Sequence, residues 1–122
     1  MSERPMVEGD EVSALGVRAR SVAGKEVLFD KEGFFLNPHD WSEEAAAILC
    51  RERGIEALNE KQWRVIRFLR DYYMANGKAP LNAELKAGLG WTIMELESLF
   101  PGGIRQGARL LAGLPNPQSC NQ

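Results

Sequence analysis

Apolar positions change their spacing twice along this chain. The first stretch, 1–14, carries Glu3, Glu8, Asp10 and Glu11 with no apolar period, and reads as a disordered leader reaching to about residue 16. Over 17–36 the pattern shortens. Val27-Leu28-Phe29 and Phe34-Phe35-Leu36 are brief β-rich runs, set off by the Gly24 turn and by Asp30-Lys31-Glu32-Gly33. Such runs between Gly and Asp turns predict a small β-hairpin or meander. A pair of strands is only marginally stable alone and must lean on helices.

From residue 40 onward the period is helical. Asp40-Trp41-Ser42-Glu43-Glu44 supplies a capping side chain and first-turn acids, and that helix runs to about Arg53 before Gly54. Asn59-Glu60-Lys61-Gln62 resembles a capping box and opens the longest helix, 60–76, which stops at Gly77. Trp63, Ile66, Leu69 and Tyr73 form its apolar stripe, widened by Val65 and Tyr72. Asn82 caps a short helix ending near Gly88. Thr92-Ile93-Met94-Glu95 is a second capping box, for a helix ending near Phe100 before Pro101. The last helix spans 103–112, with Gly113 and then Pro115 as stop signals. The expected fold is mainly α with a small N-terminal β-hairpin (α+β). It is a compact helical bundle over 17–112 with a helix-turn-helix-like segment and a mobile C-terminal arm, 113–122.

Composition narrows the classes. The 122 residues are enough for one domain. At 44% hydrophobic and 26% charged the chain is ordinary for a globular protein. A net charge of -2 argues against a polycation built for nucleic acid, though it allows a local basic patch. No apolar run is long enough to span a bilayer, and 1–10 lacks the apolar stretch of a signal peptide. A cytoplasmic location and reduced thiols are therefore expected, with no membrane association. No Cys-x-x-Cys pair, histidine–carboxylate cluster or phosphate loop is present, so neither a metal site nor a bound cofactor is expected.

The chemistry then falls to Cys120, third from the end of the sequence, on the arm Ala112-Gly113-Leu114-Pro115-Asn116-Pro117-Gln118-Ser119-Cys120-Asn121-Gln122. A thiol near a terminus is poorly placed to hold a core together and well placed to reach another protein. Pro115 and Pro117 stiffen the root. A polyproline-like stretch advances about 3.1 Å per residue, so the thiol stands roughly 20 Å beyond the helix end. Free cysteine titrates near 8.5 and nearby cations raise its thiolate fraction. Arg105 and Arg109 are the nearest in sequence. Taken alone, the arm fits a reactive carrier thiol and a stray cysteine in a frayed tail equally well.

Three separated blocks break that tie. Phe100-Pro101-Gly102 through Ala112-Gly113-Leu114-Pro115-Asn116-Pro117-Gln118-Ser119-Cys120 resembles the C-terminal signature of the DsrC/TusE family. So do Gly24-Lys25 through Asp30, Gly33-Phe34 and Asp40-Trp41-Ser42-Glu43, and then Gln62-Trp63 through Val65-Ile66-Arg67-Phe68-Leu69-Arg70-Asp71-Tyr72-Tyr73. The resemblance implies a sulfur-relay protein. Cys120 would hold a transient persulfide, taken from an upstream donor protein and passed to an acceptor enzyme. It implies a sulfurtransferase in the carrier sense, without independent turnover. In the TusE-like branch the acceptor is a tRNA 2-thiouridylase acting on the wobble uridine. In the DsrC branch two arm cysteines serve a dissimilatory sulfite reductase. The second of those cysteines falls where this chain has Arg109, eleven residues before Cys120. That departure favours the one-cysteine TusE-like relay over the DsrC-like carrier of dissimilatory sulfur metabolism. The segment 85–99 is shorter than the family pattern and lacks its basic-aromatic run.

Other residues carry blander readings. Cys50 closes an alanine-rich helical run and reads as a small buried hydrophobe. His39, the one histidine, reads as a loop residue. Arg64, Arg67 and Arg70 recur every three residues beside Lys61, which reads first as a solvated face. The sharper reading makes Arg67 and Arg70 docking residues for an acidic partner or tRNA. Helices 60–76, 82–88 and 92–100 also permit a helix-turn-helix DNA-binding regulator. The absence of a cation from 92–100 disfavours it and makes direct DNA binding unexpected.

Overall fold

The computed structural model describes residues 16–116. The leader up to Leu15 and the segment 117–122, with Cys120, lie outside the described residues.

Strands β1 (Arg18–Val22) and β2 (Lys25–Phe29) pair antiparallel, with Val22 opposite Lys25 and Arg18 opposite Phe29. Only Ala23 and Gly24 join them, both at positive φ, 54° and 77°. Two successive left-handed residues give a turn whose twist matches that of the strands. The second β-rich run contributes a single bridge, Phe35 to Phe29, and no third strand. Asp30 explains the chain reversal between them. Its Oδ1 accepts from the backbone N–H of Glu32 at 2.9 Å and of Phe34 at 3.0 Å, a local turn that competes with strand pairing. Phe34 and Phe35 are both fully buried.

The helices follow the sequence signals closely where those signals are local. A tight turn, Pro38–Asp40, precedes α1 (Glu43–Glu52), which Ser42 caps by accepting from Ala45 N–H. The longest helix, α2 (Glu60–Asn76), opens on a reciprocal Asn59/Gln62 capping box and ends at left-handed Gly77. The next, α3 (Asn82–Leu89), departs from expectation at both ends. Its cap position is Leu81, whose N–H donates to Glu84 Oε1 at 2.7 Å, and Gly90 rather than Gly88 stops it. Gly88 is retained inside the helix by packing: a Cβ there would stand 2.3 Å from the Phe68 ring. Helix α4 (Ile93–Ser98) carries the Thr92/Glu95 box.

The final helix, α5 (Ile104–Arg109, continuing to Leu111), has wide π-type turns, which apolar periodicity does not report. The helices close over the hairpin around a core that includes Val22, Val27, Phe29, Cys50, Ile66, Leu69, Leu96 and Leu111. Among the described residues no helix is long and apolar enough to cross a membrane.

Candidate functional site

The described part of the arm is packed into the body. Leu111, Ala112 and Leu114 are fully buried and Gly113 is buried with them. The end of α5 shows how the sequence achieves this. A helix leaves its last four carbonyls without internal partners. Here all four are taken. Leu114 N–H donates to Arg109 O at 3.1 Å and Gly113 N–H to Leu110 O at 3.1 Å, a Schellman arrangement around left-handed Gly113. Trp41 Nε1–H donates to Leu111 O at 2.7 Å, and Arg70 Nη1 donates to Ala112 O at 2.9 Å.

Trp41 and Arg70 reach that end from opposite elements. Trp41 precedes α1, and its ring lies against Gly113 so closely that a Cβ would stand 2.5 Å from Cδ1. The Arg70 guanidinium lies 4.2 Å from the Trp41 ring centroid and also donates to Pro38 O at 3.2 Å. Partial burial lowers its pKa from the ordinary arginine value, and neighbouring Asp71 opposes that shift. The guanidinium also brings positive charge to a helix C-terminus, where the backbone dipole favours it.

One turn further the exit is held by polar side chains. Asn116 Nδ2 donates to Asp30 Oδ2 at 3.0 Å, and Asn116 Oδ1 accepts from Arg105 Nη2 at 3.2 Å. The same Arg105 nitrogen lies 3.4 Å from Glu32 Oε1, and its guanidinium sits 5.6 Å from the Phe34 ring centroid.

The three sequence blocks that carried the resemblance therefore meet here. Asp30, Phe34 and Trp41 come from the first, Arg70 from the second, and 105–116 from the third. A sequence-profile comparison decides the family: the family described as "DsrC like protein" matches residues 21–121. The chain belongs to this DsrC-like family.

Relatives lie on both of its branches. The chain is 37% identical over 97 residues to the dissimilatory-type sulfite reductase subunit gamma of Nitratidesulfovibrio vulgaris, covering 80% of this chain and 92% of that one. It is 35% identical over 104 residues to the sulfurtransferase TusE of Escherichia coli O6:H1, covering 80% and 94%. Its fold matches the crystal structure of the oxidized gamma subunit of dissimilatory sulfite reductase (DsrC) from Archaeoglobus fulgidus. That match has a TM-score of 0.74 at 31% identity and covers 84% of this chain and 99% of that one.

The four arginines singled out from the sequence of this DsrC-like chain divide between different places. Arg70 and Arg105 hold the arm root, as described. Arg109 reaches a different neighbour, the segment before α3, where Nη2 donates to Pro80 O at 2.9 Å. Arg67 lies on the outer face of α2, 3.4 Å from Glu43 Oε2 and 5.2 Å from the Trp63 ring centroid. Side chains three residues apart on a helix are rotated by about 60° from one another, so Arg64, Arg67 and Arg70 fan around α2 rather than forming one face.

Cys50 is fully buried on α1, with its sulfur 3.2 Å from Ala47 O and 3.4 Å from Ile55 O. Burial pushes its thiol pKa up, against the weaker pull of Arg51. A protonated, enclosed thiol is a poor nucleophile. His39 is exposed in the turn before α1. The DNA-binding alternative finds no support: α4 is six residues long, and its exposed positions include Glu95 and Glu97 and no cation.

Sequence reasoning did not single out Trp41, Asp30 or Asn116 as site residues. Trp41 and Asp30 enter there only through local turn and helix-start signals and the family blocks, because their partners at the arm root lie far along the chain.

Proposed function

We propose that this protein is a single-thiol sulfur carrier that works through Cys120. The thiolate attacks the outer sulfur of a donor persulfide. A new S–S bond forms to Cys120, the donor's own S–S bond breaks, and the donor leaves as a thiolate while the outer sulfur keeps its proton. The exchange is balanced without an external oxidant or reductant, and its rate follows the attacking thiolate and the leaving thiol. The acceptor enzyme then takes the sulfur by a second exchange.

The observation that carries this reading is the state of the other thiol. The chain has two cysteines, and Cys50 is enclosed and held protonated. Cys120 is left as the thiol able to exchange. The names of the relatives, a sulfurtransferase and a sulfite reductase subunit, support sulfur transfer as the activity.

The one-thiol count favours the TusE-like role, with a tRNA 2-thiouridylase as acceptor. The DsrC-like role, favoured by the 37% identity to the gamma subunit, draws on a second arm thiol. This chain has Arg109 at that position, with its guanidinium committed to Pro80 O.

Incubation with glutathione persulfide tests the carrier role directly. The wild type should gain the mass of one sulfur atom and Cys120→Ser should gain none. Equal loading of both proteins would refute it. Transfer of labelled sulfur from the loaded protein to tRNA through a 2-thiouridylase tests the acceptor assignment.

A further inference from the structure

We propose that Asn116 is a positioning residue: its amide bridges Asp30 and Arg105 and so fixes where the arm that carries Cys120 leaves the body. The inference rests on the sulfur-carrier reading above and adds to it a device for aiming the thiol.

The bridge is built from groups that are themselves fixed. Asp30 Oδ1 is occupied by two backbone N–H groups, which leaves Oδ2 turned to the Asn116 amide. Arg105 is steadied by the Glu32 carboxylate and the Phe34 ring. The amide is polarised in the sense its neighbours require, with NH₂ toward the carboxylate and C=O toward the guanidinium. Hydrogen bonds to charged groups are the stronger kind. Both Asp30 and Arg105 come from elements packed in the body, so the bridge ties the arm to a rigid frame.

Position makes this bridge matter. Pro115 fixes its own φ, and a proline in the next position biases Asn116 toward extended backbone. Cys120 is four positions on from Asn116, so its Cα lies at most roughly 14 Å from the Asn116 Cα. The next residue back that is fully buried is Leu114, two positions earlier. Without the bridge, those two residues contribute roughly 7 Å of extra reach in every direction open to them. Fixing the chain at Asn116 removes freedom in advance that a partner taking the thiol would otherwise have to remove, the general benefit of preorganisation.

The test has two arms on the full chain. A nitroxide attached to Cys120 reports arm motion, with Cys50 enclosed and unlabelled. Asn116→Ala and Asn116→Asp should both sharpen the spectrum. Adding Asp30→Asn to Asn116→Asp exchanges the carboxylate and amide and should restore the wild-type line shape. In the second arm the persulfidated proteins serve as sulfur donors to a tRNA 2-thiouridylase. Asn116→Ala should raise KM roughly three- to tenfold with kcat unchanged, and the swapped pair should return it toward wild type.

Identical spectra for wild type and Asn116→Ala would overturn the bridge. A sharpened spectrum with an unchanged KM would overturn its role in aiming the thiol. Failure of the wild type to accept sulfur from glutathione persulfide, with spectra behaving as expected, would overturn the carrier reading and leave the bridge standing.

Discussion

Arg70 lies over the face of Trp41, 4.2 Å from the ring centroid, and the two side chains take adjacent carbonyls at the end of the last helix. Trp41 takes Leu111 O and Arg70 takes Ala112 O. Neither side chain could be placed so accurately alone. The indole gives the guanidinium a flat surface to rest on, and the guanidinium covers the indole that supports Gly113. The energetics of the arm root should therefore be cooperative.

That cooperativity gives the first prediction. Trp41→Phe removes one carbonyl partner and should cost about 1–2 kcal/mol. Arg70→Met should cost a similar amount through Ala112 O and Pro38 O. Because the two residues touch, the double variant should lose less than the sum, with a coupling of about 1 kcal/mol. Urea denaturation of the four proteins checks this; strict additivity would mean that the stacking contributes nothing.

Gly113 should be far less tolerant than Gly24, although both have positive φ, 76° and 77°. A Cβ at Gly24 meets nothing within 4 Å, so Gly24→Ala should cost only the backbone strain, about 1 kcal/mol. At Gly113 the same methyl stands 2.5 Å from Trp41 Cδ1, which adds overpacking of about 1–3 kcal/mol. Comparison of the two unfolding midpoints separates conformation from contact.

Gly88→Ala should destabilise the protein even though alanine is the better helix former by about 1 kcal/mol. The added methyl would stand 2.3 Å from Phe68 Cε1, where α3 crosses α2. Shrinking the ring with Phe68→Leu should make Gly88→Ala neutral or stabilising in that background. A Gly88→Ala variant as stable as wild type would show that the ring yields without cost.

Tyr72 and Glu84 should shape the pH dependence of stability. The Leu81 N–H and then the Tyr72 hydroxyl lower the Glu84 pKa from its ordinary 4.5. Its contribution is complete above that value and is lost as pH falls through the lowered folded value. The Glu84 carboxylate, followed by burial, raises the Tyr72 pKa from 10.0. Its contribution is complete below that value and is lost as pH rises through the raised folded value. Tyr72→Phe should abolish the alkaline loss and reduce the acid one, leaving a curve parallel to wild type between about pH 5 and 9. Unfolding free energies across the pH range give the answer.

Thiol counting supplies a fifth check. Native protein treated with iodoacetamide at about pH 8 should carry one label, and unfolded protein two. Prompt double labelling of the native protein would contradict the enclosed Cys50 thiol.

Much of this fold was legible because its signals are local. Asn59 with Gln62, Thr92 with Glu95, and Gly77 each act within one helical turn of where they stand, so spacing alone reveals them. The α3 boundary departs from its local signal because tertiary contact decides it: Gly88 reads as a stop in sequence, but the Phe68 ring makes it a packing residue. Arg70 looked like part of a solvated face because nothing nearby in the chain indicates that it turns toward Ala112 O. The Asp30–Asn116 contact spans 86 residues and joins two residue types common in turns. No periodicity encodes such a pairing. The family blocks did mark most of the regions that converge, without saying that they converge on each other.

The saturated helix end at 109–112 has a mechanical corollary. A rope moored to a fraying post has no definite length, since each unwound turn lends it slack. With every terminal carbonyl occupied and Leu114 sunk in the core, this mooring yields no slack. The length of chain from this mooring to Cys120 is then a fixed count of residues, and inserting or deleting one should change the greatest distance it can span in increments of roughly 3.3 Å.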